Sequence, residues 1–495
     1  MSRLTLKHCA GRKASFVFLL GAAMAVASPA QTFTTLVIFD STNGGWPEAS
    51  LIQATDGYFY GTTSGGGVQN YGTIFRVTLQ GTLTTIHSFC AHSHTCPGGS
   101  TPIAALVQAR DGSLYGTARY DGAPGCNGYG CGTVFKISPG GAFTTLHRFR
   151  DSDGNGTLPS GALIQATDGN FYGTTQGGDG GDEGSGTVFK ITPAGELTTL
   201  HKFNNTNNNG GAFPTGTLIQ ALDGDFYGTT VTGGELTCNA PFGCGTVFKI
   251  TPDGTLTTLH AFLANDGEFP YGALIQDSNG NFYGTTIVGG DLNCEAPSGC
   301  GTVFKMTPGG TFTILHRFAG YPIDGYLTYA GLTQATDGSL YGISSAGGGV
   351  GPWGRGTMFK ISLEPTLTPL QTFEIVGGVG PDGGLIQATD GNFYGTNEWG
   401  GASCGCGTLF TLSTGLGAFV SLERYAGKVG ETGGILGQGF TGTTWVSLNG
   451  IPANFTIVSD TYIRATVPAG ATTGFVEVNT PSGTLTSNQP FRVMP

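Results

Sequence analysis

ALIQATDGNFYGTTQGGDGGDEGSGTVFKITPAGELTTLHKF, residues Ala162–Phe203, returns with variations seven times along this chain. Its Tyr-Gly pair is the clearest ruler. The tyrosines are Tyr60, Tyr115, Tyr172, Tyr227, Tyr283, Tyr341 and Tyr394, with successive spacings of 55, 57, 55, 56, 58 and 53 residues. A fixed period of this size signals a stacked or circular array of like units. Each unit divides into two hairpins. In the quoted copy the first runs from Leu163 to Ala166, turns at Asp168-Gly169 and returns through Phe171–Thr175. Asp-Gly between apolar runs favours a tight hairpin, because glycine readily takes the positive φ of a type I′ turn. Asp-Gly or Asn-Gly fills this slot in every copy (Asn279-Gly280 in the fifth). The second hairpin joins Val188–Ile191 to Leu197–Phe203 through Pro193-Ala194-Gly195. These runs are rich in Val, Ile, Thr and Phe, so each unit reads as four strands, A to D.

Four strands per unit matches a propeller blade better than a coil of a β-helix. The ends of the array sharpen this. Phe33–Phe39 has the pattern of a D strand with no A, B or C before it, and the seventh unit has A, B and C but leaves the pattern where D should come. The expected fold is all-β: a seven-bladed β-propeller over residues 31–415, closed by the N-terminal strand.

Residues 1–30 read as a secretory signal, with Arg3, Lys7, Arg12 and Lys13 ahead of an apolar run from Phe16 to Ala27 and the small-residue exit Ser28-Pro29-Ala30. That run is short for a membrane-spanning helix, and no later stretch is long enough. The mature chain is expected to be exported, to the periplasm, the cell surface or the medium, and to be a monomer. Loss of those four cations takes the formal charge from −11 to −15. Scattered basic residues on so acidic a chain argue against nucleic acid. Glycine is 89 of 495 residues, but it sits at periodic turns, which indicates an ordered β protein with almost no helix.

Ten cysteines follow the signal in five close pairs: Cys90 and Cys96, Cys126 and Cys131, Cys238 and Cys244, Cys294 and Cys300, Cys404 and Cys406. In an exported chain these read as local disulfides, with thiolate metal binding as the alternative. A bridge between Cys404 and Cys406, across one residue, is geometrically demanding.

The strand order puts the tight A–B and C–D turns on one face and the long B–C and D–A loops on the other. All ten cysteines fall on the loop face, together with Trp46, Trp353, Trp399, Tyr120 and Phe242 and many acids, Glu398 among them. Aromatic plates beside carboxylates suit sugar rings, and these five aromatics are the candidate ligand-binding residues. The alternative is that they pack loops onto the ring. Asp151-Ser152-Asp153-Gly154-Asn155-Gly156 matches the first half of a calcium-loop pattern, with Asp151, Asp153 and Asn155 as the oxygen donors. The position where an EF-hand carries Glu is Ala162, so the loop is either a calcium site of another kind or an uncomplexed Asx turn.

Recurrent polar residues read as structural. Gln53, Gln108, Gln165, Gln220, Gln276, Gln334 and Gln387 on strand A should satisfy equivalent backbone groups in each blade. Five equivalent histidines on strand D are poor catalytic candidates, and five lysines on strand C, Lys136 to Lys360, read as charges on a sticky surface. No motif of a nucleophile elbow, zinc protease or phosphate loop is present.

From about Ala418 short alternating strands suggest a separate immunoglobulin-like sandwich over residues 418–495.

The repeats, with DGNFYGTT and GTVFKITP returning nearly intact, resemble the GloVer tandem repeat of exported bacterial proteins over residues 33–412. The tail resembles an IPT/TIG domain through ILGQGF, VSLNGIPA, ATVPAGATTG and VNTPSG. The resemblance implies an extracellular interaction or spacer module for the tail, and no established catalytic residues for the repeats. Three readings stay open. One is an exported binding or adhesion protein whose loop face engages a polysaccharide or a surface protein. Another is a carbohydrate-active enzyme, a glycoside hydrolase or lyase, marked by two acids facing each other across the channel mouth. The third is a purely structural surface protein.

Overall fold

A computed structural model describes residues 31–494 apart from 92–95, 179–184, 205–209, 350–353, 363–365 and 402. The leader at 1–30 lies outside the described residues. Among them the only helix is a 3-10 turn, Cys126–Gly128, and no helix is long and apolar enough to cross a membrane.

The repeats form seven antiparallel sheets, each with strands in the order A-B-C-D. In the third copy these are Ile164–Gln165, Phe171–Gly177, Thr187–Ile191 and Leu197–Lys202. Strand A is two residues long in each copy, shorter than the apolar run predicts, because the Gln side chain takes over the hydrogen bonding there. In the seventh sheet strand D is the N-terminal strand, Thr32–Ile38, paired with Thr408–Ser413. The other D strands carry a bulge that leaves one residue without a partner opposite, such as Leu200 between Thr199 and His201. The N-terminal strand has the same bulge at Leu36, between Thr35 and Val37. It therefore occupies the D position in detail as well as in order.

Consecutive sheets are joined by two repeated contacts. The first is the Gln carboxamide. Its Oε1 accepts the turn N–H of the preceding sheet: Thr55 to Gln108 at 2.9 Å, Arg110 to Gln165 at 3.0 Å, Thr167 to Gln220 at 2.8 Å, Leu222 to Gln276 at 3.0 Å and Thr336 to Gln387 at 2.9 Å. Its Nε2 donates to the glycine carbonyl of its own A–B turn, as from Gln220 to Gly224 at 3.0 Å. The same bond runs between the last sheet and the first, from Thr389 N–H to Gln53 at 2.9 Å. The second contact, at five of the seven junctions, is a strand-B tyrosine ring against the next strand-B phenylalanine; the next residue is Leu114 or Leu340 at the other two. Tyr172 on Phe226 is at 4.0 Å and Tyr227 on Phe282 at 4.2 Å, and Tyr394 lies 4.3 Å from Phe59 across the same seam.

The glycine of the Tyr-Gly ruler has a steric cause. A Cβ on Gly228 would sit 2.7 Å from the Phe248 ring of strand C and 2.8 Å from Leu218, and the equivalent glycines meet the equivalent Phe and Leu. The strand-C lysines are not bare surface charges. Lys136, Lys190, Lys249 and Lys360 each pair with the Asp of the A–B turn at 2.7–2.9 Å and lie over the Tyr ring, whose hydroxyl donates to that same Asp. This correction follows from the hairpin bringing turn Asp, strand-B Tyr and strand-C Lys side by side. The histidines pack between sheets, His260 stacking on Phe312 at 3.9 Å.

Residues 421–494 form two four-stranded antiparallel sheets around one core containing Val420, Phe440, Ile463 and Val478. A two-stranded parallel pair, Ala426–Lys428 with Arg492–Met494, joins the ends of this unit.

Gly228→Ala is expected to destabilise the fold by about 1–3 kcal/mol through overpacking against Phe248. Urea unfolding of this variant beside an exposed control with ordinary φ and open space, Gly140→Ala, checks it. Equal midpoints would show that the close approach is not limiting.

Candidate functional site at the loop mouth

In six sheets the D–A loop is tied to the B–C loop by a backbone bridge: Gly45 with Gly65, Ser100 with Tyr120, Ala212 with Thr232, Glu268 with Val288, Tyr326 with Ala346, and Val379 with Trp399. In the third, Thr157–Pro159 pairs with strand B directly. The two loop sets therefore share one face, and each repeat offers two side chains at fixed positions beside this bridge. The residue just before strand A's loop end is Glu48, Ile103, Ser160, Thr215, Tyr271, Tyr329 or Asp382. The residue just after strand B's core is Ser64, Arg119, Gln176, Val231, Ile287, Ser345 or Glu398. The surrounding framework repeats; these two positions do not.

These side chains converge. Arg119, from the second repeat, donates to Gln176 of the third at 2.5 Å, and its charge acts on the phenol of Tyr271 of the fifth. Tyr271 packs edge-on against Tyr329 at 5.7 Å. Ser345 donates to the Asp382 carboxylate and to the Pro381 carbonyl. Glu398 shares a hydrogen bond with Asp382, and the indole of Trp399 also reaches it. Arg119 Nε and Ser160 Oγ are buried without a protein partner, as is the indole nitrogen of Trp46.

The carboxyls influence one another. Burial is the main cause that pushes Glu398 up to about 8, and the hydrogen bond and charge of Asp382 and the charge of Glu48 add to it. Glu48 is raised as well, first by burial and then by Asp382, against the Ser64 hydroxyl and the Arg119 charge. Burial also raises the phenols of Tyr271 and Tyr329. At neutral pH Glu398 is thus mainly a neutral acid that can donate a hydrogen bond.

The sequence-predicted aromatics divide. Trp46 and Trp399 come together, ring centroids 6.2 Å apart, and adjoin the carboxyl group through the Trp399 indole. Tyr120 lies under the Arg119 guanidinium at 5.5 Å and near Tyr129 at 6.3 Å. Phe242 is 54% exposed on the B–C loop of the fourth repeat. Trp353 lies outside the described residues. The sequence marks Glu398 only as one loop-face carboxylate among many, and does not mark Glu48, Asp382 or the cation Arg119. The signal available was variation at equivalent positions inside an otherwise repeated framework.

All five cysteine pairs are disulfides. Three have a carboxylate alongside, Asp121, Asp151 or Glu268. Asp151 accepts the Cys126 N–H at 2.7 Å. Asp153 accepts the Asn155 N–H at 3.1 Å, and Asn155 Oδ1 accepts the Thr199 hydroxyl at 3.1 Å. The three oxygens of that loop thus each hold a different protein donor.

This is an all-β, propeller-like repeat protein with one unlike set of side chains at its loop mouth. The chain matches the profile of the Gloeobacter/Verrucomicrobia repeat over residues 19–179, 125–351 and 292–442, and it belongs to that family. No curated protein matches it. Among solved structures it is similar to the extracellular domain of a protein assigned as a hybrid two-component system from B. thetaiotaomicron, at 10% identity and TM-score 0.48, covering 94% of this chain and 58% of that one. It is similar to a gluconolactonase from Xanthomonas campestris, at 13% identity and TM-score 0.38, covering 65% and 88%. A luciferin-regenerating enzyme gives 12% identity and TM-score 0.37, covering 62% and 89%. Likenesses this loose transfer no activity.

The raised Glu398 makes a pH prediction. Its folded-state value lies above the ordinary glutamate value of 4.5, so the native state keeps a proton that the unfolded chain releases. Stability from this group is complete below about pH 4.5 and is lost as pH rises through about 8. Glu398→Gln is expected to flatten the decline in unfolding midpoint between pH 5 and 8. Parallel wild-type and variant profiles would show that Glu398 is not the group.

Proposed function

We propose that the seven sheets close into a seven-bladed propeller, that residues 418–495 are an Ig-like domain of IPT/TIG type, and that the chain is an exported binding protein whose loop mouth takes a polyhydroxylated ligand, a saccharide. The repetition of the Gln bond and the Tyr–Phe stack at the seam between the last and first sheets supports closure. Five disulfides suit an oxidising compartment and so support export.

One observation carries the binding reading. Repeats that share a framework supply unlike side chains, most of them polar, at the two positions beside the loop bridge, and Arg119 bridges to Gln176 of the next repeat. Sugar hydroxyls both donate and accept, and the mouth interleaves donors (Arg119, Tyr271, Tyr329, the acid form of Glu398) with acceptors (Glu48, Asp382). The Trp46–Trp399 pair supplies an apolar plate beside them, the usual composition of a site that orients a ligand with few polar groups. The uncommitted Arg119 Nε and Ser160 Oγ are atoms a ligand can satisfy.

The enzymatic reading has one favourable observation, a carboxyl held neutral near pH 7, as a general acid must be. Asp382 is within hydrogen-bond reach of Glu398, closer than the ~5 Å of retaining glycosidase pairs, so its partner across the mouth would be Glu48. Calcium at Asp151, Asp153 and Asn155 is a further element of the proposal, tested in the same assay.

Residues 31–495 would be incubated with a panel of polysaccharides, with calcium or with chelator, and scored for co-sedimentation and for released reducing ends. Retention without release is expected, with Arg119→Ala and Trp399→Ala each weakening it at least about tenfold, the scale of losing a hydrogen bond to a charged group. Released reducing ends that vanish in Glu398→Gln would replace binding by hydrolysis. Retention unchanged in both variants would remove the mouth as the site. Loss on chelation would assign the calcium loop.

A further inference from the structure

Strand A lines the centre of the array, and its A–B turns ring the end opposite the loop mouth. The C-terminal domain touches the repeats at these turns. Thr461 donates to the Thr55 carbonyl in the first repeat at 3.0 Å, and its methyl lies against Gly57. In the seventh repeat the Phe419 N–H donates to the Thr389 carbonyl at 3.0 Å, and Gln438 donates to the Thr389 hydroxyl at 3.3 Å. In the fourth repeat Arg492 donates to the Leu222 carbonyl at 2.7 Å.

The placement of these three repeats matters. In a ring of seven, the first and seventh are neighbours at the seam, and the fourth is three units from each, on the far side of the axis. One compact unit that holds both rims must cross the opening between them. We infer that the C-terminal domain is a plug: it closes the turn end of the channel and leaves the loop mouth as its single entrance. This rests on the ring closure proposed above.

The attachment at the seam also follows from chain connectivity, since the last repeat strand ends at Ser413 and the domain's first strand begins at Ser421. Attachment at the fourth repeat does not follow from connectivity and needs the domain to reach across. With one end closed, a polymer cannot thread the channel. The mouth would then engage a chain end, a branch or a short oligosaccharide.

Hydrogen exchange on the full-length protein tests the plug, peptide by peptide. The A–B turns of repeats 1, 2, 3, 4, 6 and 7 share one hydrogen bond, turn N–H to the next glutamine, so the turns of repeats 2, 3 and 6, which hold no hydrogen bond to the domain among the described residues, are internal references. The turns holding Thr55, Leu222 and Thr389 are expected to exchange at least about tenfold more slowly than those holding Arg110, Thr167 and Thr336. Arg492→Ala should release the Leu222 turn alone, while Thr55 and Thr389 stay protected. A Leu222 turn that exchanges like the reference turns in the wild type would overturn the plug. The N-terminal strand at 32–38 reports separately on the ring. If it exchanges freely, closure itself fails. If it is protected while the Leu222 turn is not, the ring stands and the plug falls.

Discussion

One polar side chain recurs at the junctions between neighbouring repeats, beside the aromatic contact. A strand-A glutamine accepts the N–H of the turn before it and donates to the glycine carbonyl of the turn after it. Without it, the turn N–H and the glycine carbonyl it joins would lose their partner, at a cost repeated at each such junction. Strand A can be two residues long because this carboxamide does the work of a longer ladder. The bond from Thr389 to Gln53 is the same bond, so the seam between the chain's two ends is a junction like the others.

A framework that uniform has a functional consequence. The buried Phe of strand C and the glycine beneath it recur in all seven copies, and the Asp–Tyr–Lys group in four, so they do little to distinguish one repeat from another. What distinguishes them is the pair of positions beside the D–A to B–C bridge, where the side chain meets its counterparts from other repeats rather than its own sheet. Glu48, Arg119, Tyr271, Tyr329, Asp382 and Glu398 occupy these positions. Burial makes each charge there depend on its neighbours, which is why Glu398 keeps its proton far above the usual range. The disulfides lie in the same loops and stiffen the walls around this group, since closing loops this short adds rigidity more than global stability.

The repeat period, the four strands of each copy, the missing final strand and its replacement at the N-terminus were all legible in the sequence. Each follows from local rules: strand alternation, Asp-Gly turns and the spacing of Tyr-Gly. The structural role of the recurring glutamines was legible for the same reason, since a residue used seven times serves the backbone. The lysines read as surface charges, and their Asp partners were not legible, because these sit one strand away in space and about 20 residues away in sequence. Of the mouth, Trp46 and Trp399 could be placed on the correct face, but which acids meet could not, because Glu48 and Asp382 are brought together only across the seam.

By itself, then, the sequence determined a repeating all-β chain with a distinct tail and loops stapled by paired cysteines, because those features depend on neighbours along the chain. The tertiary structure decided the rest: that Gly228 is needed for the Phe248 ring, that Arg119 bonds Gln176 of the next repeat, and that Arg492 reaches Leu222 from 270 residues away. Contacts between repeats depend on how the sheets are arranged around their common centre, and no local pattern in the chain encodes which unlike side chains will face one another there.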